Sequence, residues 1–142
     1  EDGILVSQKV LLTWLIESEE IFHQIEKYIT PEDFSEGLFR KVAELLYEQY
    51  EKHEANPAQI MNHFTDEEEH REVAGLFHTK IKELTTVKEQ EKALQETILR
   101  VKELSIEEAT KNLDPTDIQG LQRLMNEKRK MQDLRTLHIS IN

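Results

Sequence analysis

Cysteine is absent from the chain. Disulfides and thiolate metal sites are therefore excluded, and the composition fits a reducing compartment. Glycine (4) and proline (3) are scarce in 142 residues. Little material is left for tight turns, which points to long helices joined by short connections. The glycines stand singly at positions 3, 37, 75 and 120, so no phosphate-cradling loop is present. No apolar run approaches the ~20 residues that a membrane-spanning helix requires. The opening Glu1-Asp2-Gly3 has neither an initiator Met nor a signal peptide, and reads as the cut end of a longer protein.

Positive charge is the other shortage. Lys and Arg number 18 against 29 Asp and Glu, a net charge of −11. Binding a phosphate backbone needs clustered Lys and Arg, so nucleic acid is disfavoured as a partner. The deficit is uneven: residues 1–112 carry 13 basic and 25 acidic side chains, a net of −12, whereas 113–142 carry 5 and 4, a net of +1. An acidic body with a near-neutral tail implies different surroundings for the two parts. Hydrophobic residues make up 37% and charged residues 33%. One domain of this length buries roughly two-thirds of its unfolded surface, here around a modest core in an elongated shape.

Helix starts are well marked. Each proline follows a capping residue, in Thr30-Pro31, Asn56-Pro57 and Asp114-Pro115, where its missing N–H costs nothing. Thr65-x-x-Glu68 and Thr86-x-x-Glu89 have the form of capping boxes. No segment alternates apolar and polar over six residues. The spacing predicts helices near 5–17, 19–28, 36–52, 57–64, 66–84, 87–111 and 115–137, with 31–34 as a short turn. The first five have apolar faces, such as Ile60, Met61 and Phe64, or Val73, Leu76, Phe77, Ile81 and Leu84. Trp14 is expected as a core anchor.

The last two helices differ. Residues 87–111 would run about 37 Å at 1.5 Å per residue, longer than a bundle of the others is wide, so the end should project. Leu94, Ile98 and Val101 serve a core, and Ser105-x-x-Glu108 is a candidate break or kink. The final helix offers a thin stripe of Ile118, Leu121, Leu124, Met125, Met131, Leu134 and Leu137. A heptad seam following Leu121 and Leu124 meets Lys128 and Arg135 where it wants apolar residues. Such a seam supports antiparallel pairing with the sixth helix and little more, and an isolated hairpin is marginally stable. Two readings of the stripe stay open: all of it packs within the hairpin, or residues such as Leu121, Leu124, Met131 and Leu134 are shared with a partner by helix-in-groove docking. Met125 and Met131 would suit an adaptable interface. The alternating end, residues 137–142, would fray or dock.

Candidate chemistry is sparse. Glu20-x-x-His23 and Glu67-x-x-His70 have the spacing that di-iron carboxylate bundles use. The second pair, however, lies within an acidic first turn suited to solvent and the helix dipole. No histidine stands beside a Ser in a strained turn; His53, His63, His78 and His138 are scattered and read as surface or part-buried groups. Lys128-Arg129-Lys130 is the only tight basic cluster. It reads as a solvated face, as a contact for a protein with an acidic rim, or as a nucleic-acid contact lacking aromatic interleaving.

The entry Ile29-Thr30-Pro31-Glu32-Asp33-Phe34, with the ladder Leu38, Phe39, Val42, Leu45 and Leu46, follows the amphipathic pair Val10-Leu11-Leu12-x-Trp14-Leu15-Ile16 and Ile21-Phe22-x-x-Ile25. In that order of elements the whole chain resembles the C-terminal helicase-binding domain of bacterial DNA primase. It is also similar to the related N-terminal domain of the replicative helicase. The resemblance implies an all-α fold: a compact multi-helix bundle (1–100), then a long helix and a C-terminal helical hairpin (101–142). It implies a non-catalytic docking domain without cofactor or metal, monomeric alone, part of a cytoplasmic bacterial replisome, with the parent protein a primase. The implied partner is the hexameric replicative DNA helicase through its N-terminal domains, with no direct nucleic acid and no membrane. The partner-binding residues carried over are Ile118, Leu121, Leu124, Met125, Lys128, Met131, Leu134, Arg135 and Leu137. A helicase N-terminal domain and a di-iron bundle enzyme stand as alternatives.

Overall fold

Leu11, Leu12 and Leu15 lie on the inward side of the first helix, α1 (Gly3–Glu17), and none has exposed surface. The computed structural model describes residues 3–78 and 86–141; Ile81 and Leu84 of the expected fifth helix lie outside them. Among the described residues there are six α-helices, two 3-10 segments and no strand. The chain is all-α, a compact bundle with one long helix. No helix among these residues is long and apolar enough to cross a membrane.

α2 (Glu19–Ile25) starts at Ser18, whose Oγ accepts from the Ile21 amide at 3.3 Å. Glu19 and Glu20 follow in its first turn, where the dipole favours acids. It ends earlier than the expected 28, because Tyr28 and Ile29 both donate their amides to Ile25 O at 2.9 Å and the chain turns there. That turn delivers Ile29, and then Phe34, into the core. A 3-10 segment, Pro31–Asp33, lies between them, with the Thr30 amide donating to Asp33 Oδ2 at 2.8 Å. Gly37 takes φ +117°, a conformation that L side chains rarely adopt, and launches α3 (Leu38–Glu51).

α3 supplies Phe39, Val42, Ala43, Leu46, Tyr47 and Tyr50 to the interior. Both tyrosine hydroxyls are satisfied by backbone. Tyr47 donates to Ile29 O and Tyr50 to Leu15 O, each at 2.6 Å. Burial raises both phenols, Tyr50 to about 12, so neither ionises in ordinary buffers. Phe22 packs edge-on to Tyr47 at 4.8 Å between ring centres, a geometry favoured by the ring quadrupoles.

The expected helix 57–64 is a 3-10 segment, Pro57–His63, burying Ile60. Its N-terminal Asn56 makes no side-chain cap; the Asn56 amide instead donates to Gln49 Oε1 at 3.1 Å. α4 (Glu67–His78) is capped by Asp66, whose Oδ2 accepts from the Glu69 amide at 3.1 Å, one residue later than the Thr65 box predicts. Val73 and Leu76 are buried on its inner face. α5 (Val87–Lys111) carries the predicted capping box, with Glu89 N to Thr86 Oγ at 3.2 Å and Thr86 N to Glu89 Oε1 at 3.0 Å. The bond from the Thr86 backbone holds the Glu89 carboxyl below its usual range. α5 runs without a break through Ser105. Ser105 caps nothing, because its hydroxyl donates to Asp33 Oδ1 at 2.7 Å.

α6 (Ile118–Thr136) returns along α5. Leu134, near its end, and Ile139 beyond it belong to the same apolar cluster as Leu11, Phe22 and Leu94. The tail does not fray. Gln24 accepts from the Ser140 amide and donates to its carbonyl, both at 2.8 Å. Glu91 Oε2 accepts from the Ile141 amide at 2.9 Å. Leu134→Ala should cost about 2–5 kcal/mol, the usual range for emptying a fully buried leucine site. Urea denaturation measures it; a loss below about 1 kcal/mol would show that the end of α6 is not part of the main core.

Candidate partner-binding face and the ion cluster beneath it

α6 is started by Asp117, whose Oδ1 accepts from the Gly120 amide at 2.9 Å. The fit is tight: a Cβ on Gly120 would lie 2.5 Å from Asp117 Oδ2 and 2.9 Å from Leu113 Cδ1, so a larger residue would push the capping carboxylate and the Leu113 side chain aside. Asp114, the expected cap, instead folds a local turn. Its Oδ1 accepts from Thr116 N at 2.9 Å and Thr116 Oγ at 2.8 Å, and the backbone bond foremost keeps its carboxyl below the usual range. Pro115 therefore sits in the connection, and the helix begins three residues later than predicted.

The inward seam has a different phase from the one drawn through Leu121 and Leu124. Its residues are Gly120, Leu124, Glu127, Met131 and Leu134, spaced by four and three. Lys128 and Arg135 are exposed and interrupt nothing. Gly120 opens this seam, and its missing side chain leaves room there for Leu113. The expected partner-binding residues thus divide. Leu124, Met131 and Leu134 are buried within this chain and Leu137 is partly covered against the core, so an acid at Leu124 or Leu134 would test folding as much as docking. Ile118, Leu121 and Met125 are 69%, 45% and 56% exposed. With Lys128, Gln132 and Arg135 they form a second stripe of heptad spacing, apolar in its first half and basic in its second.

Beneath α6 lies a charge cluster that sequence reasoning missed. Lys102 of α5 has no exposed surface. Its Nζ donates to both oxygens of Asp33 at 3.2 Å and to Glu127 Oε1. Asp33 is 6% exposed and also accepts from Ser105 Oγ and the Thr30 amide. Glu127 Oε2 reaches Lys130 at 3.1 Å. Burial pushes the Glu127 carboxyl up, but Lys102 and then Lys130 outweigh it and leave it below the usual range. The available signal was weak: Lys102 stands four residues after Ile98, on the apolar side of α5, where a lysine normally carries its charge out to water.

The same elements frame an open cleft of about 580 Å³, with Glu32 and Asp33 on one wall, Ala109 and Leu113 on another, and Arg123 and Glu127 on α6. A neighbouring hollow of about 480 Å³ shares Asp33 and Ser105. A Ser, a Lys and a carboxylate meet here, yet the lysine is saturated by acceptors and the serine hydroxyl donates to an anion. That is the chemistry of a structural ion pair. Of the Glu-x-x-His pairs, His23 is exposed between Glu19 at 3.1 Å and Glu26 at 3.4 Å, and Glu67 and His70 are exposed on α4. Among the described residues no three His, Asp or Glu side chains are placed to hold a metal ion.

Lys102→Met should destabilise the chain by about 3–5 kcal/mol, because Asp33 is left buried without its counter-ion. Asp33→Asn in the same chain should restore part of that loss, and additive losses in denaturant melts would break the pairing. A folded carboxyl below its unfolded value contributes stability above that value and loses it as pH falls through the folded one. From about pH 4.5, the ordinary value for Glu127, downward, Glu127→Gln should therefore show a flatter fall in melting temperature than the parent. Parallel curves would exclude the contribution.

Among known proteins, no family model, no curated protein and no solved structure matches this chain.

Proposed function

We propose that this chain is a protein-docking module, the helicase-binding domain of a bacterial DNA primase, and that it catalyses nothing itself. It tethers primer synthesis to the hexameric replicative helicase, so that primers are laid down where the duplex is unwound. One observation carries the docking part of this reading. Ile118, Leu121 and Met125 stand exposed at spacings of three and four on a helix whose inward seam is already filled. Exposed apolar residues aligned on one helix face mark a surface for a groove or another helix. The family part rests on the order of elements: an α1–α3 bundle around the Phe34 plug, a long helix, and a terminal hairpin.

The bundle, in this reading, holds α6 in place and presents its outer stripe. Helicase activity is modulated from the bundle once α6 has docked. The parent chain is cytoplasmic.

The test is calorimetric titration of the full chain into the hexameric helicase. Met125→Asp and Leu121→Asp, each on the exposed stripe, should weaken binding on the order of tenfold or more. Their melting temperatures should stay near that of the parent, since surface changes away from special features usually cost within about 0.5 kcal/mol. Tight binding that survives both substitutions would move the anchor elsewhere, and no binding by the parent would reject the primase reading.

A further inference from the structure

The exposed stripe of α6 changes character along its length. Ile118, Leu121 and Met125 occupy the first half, and Lys128 and Arg135 continue the same heptad positions in the second, with Arg129 exposed beside them. None of these three cations has an ion-pair partner among the salt bridges of the described residues. Lys130 differs in turning inward to Glu127. The rest of the chain is strongly acidic, with a net −12 over residues 1–112. This face is therefore a basic island on an acidic molecule, contiguous with an apolar one.

We propose that α6 docks with fixed polarity onto a two-part protein surface, its first half in an apolar groove and its second half against an acidic rim. The inference deepens the docking reading above and rests on it. An apolar stripe alone can be satisfied with a helix running in either direction, because burial is non-directional. Charges at one end remove that ambiguity, since reversing the helix would place Lys128, Arg129 and Arg135 over the apolar groove and leave them desolvated and unpaired.

A second copy of this chain fits the stripe poorly. Outside α6 the exposed large hydrophobics among the described residues are Val6 and Val87 alone, which offer no groove. Two α6 stripes paired in parallel would set like charges together. Paired antiparallel, they would lay each basic half on the other's apolar half. The acidic charge of the body also counts against nucleic acid as the occupant, because phosphate would be repelled around the small basic island. A distinct protein, apolar and acidic in adjacent parts, meets both halves.

The experiment measures affinity of the full chain for the hexameric helicase at about 50 and about 300 mM salt, which brackets a screening length of ~10 Å. The parent is compared with a triple charge reversal on α6, Lys128→Glu, Arg129→Glu and Arg135→Glu. A control makes the same charge change on the bundle at Lys27, Lys41 and Lys92, all exposed. The α6 triple should lose affinity on the order of tenfold or more at low salt, mostly in the association rate, and the control should not. Parent affinity should fall with salt while that of the α6 triple does not. If parent binding ignores salt, or both triples behave alike, the polarity is overturned and apolar docking stands. If the parent does not bind at all, docking and polarity fall together. Capture of single-stranded DNA, or a concentration-dependent dimer, that is abolished by the α6 triple while helicase binding is unmoved would assign the basic half to that occupant and overturn the proposal.

Discussion

The ammonium of Lys102 is the group on which the placement of the last helix depends. It is removed from water and held between Asp33, in the turn after α2, and Glu127, on α6. Burying an ion costs several kcal/mol, and only good geometry with further hydrogen bonds offsets it. Those bonds are present, because Asp33 also takes the Ser105 hydroxyl and the Thr30 amide. The cluster adds little net stability on such an account. Its contribution is positional. Leu124, Met131 and Leu134 would tolerate some sliding of α6 along α5, whereas a lysine that must meet carboxylates from two other elements fixes both rotation and rise.

That constraint explains the two faces of α6. Once Gly120 and Glu127 are committed inward, helical geometry sends Ile118, Leu121 and Met125 to the outside, where they remain 69%, 45% and 56% exposed. The same rotation exposes Lys128 and Arg135. An outward stripe is thus a consequence of an inward charge. Had the seam been leucine throughout, its phase could have settled one residue over, with Leu121 inside and the basic residues interrupting the packing.

Much of the bundle was legible in the sequence, because strong local signals there agree with burial. Thr86 and Glu89 announce the start of α5, and Phe34 with the ladder beyond it announces the plug and α3. Legibility failed where two local signals compete within a turn of helix. Asp114-Pro115 and Asp117 both suit a helix start, and the later one is used, with Asp117 capping the Gly120 amide beside Leu113. Thr65 and Asp66 compete in the same way at α4. The seam of α6 could be drawn through Leu121 or through Glu127, a difference of about 100° around the helix. Hydropathy favours the first. The second is chosen by Lys102, a residue sixteen positions before the helix begins, whose burial no periodicity reveals.

Stability should also vary along the hairpin. Its base is tied into the core by Leu134 and Ile139 and by the Gln24 clamp on Ser140, and its middle is held by the Lys102 cluster. Beyond that, residues 107–111 of α5 and Asn112 after them are all exposed, and the turn at 114–116 is closed by local bonds alone, from Thr116 to the Asp114 carboxylate and from the Asp117 amide to Asp114 O. Few buried contacts and exposed backbone bonds place the tip at the low end of local stability. Ile118 and Leu121 lie on that tip, so the apolar end of the stripe is also the least anchored. On the docking proposal, a partner covering them would supply the packing that the tip lacks, with the cluster keeping the rest of α6 in register.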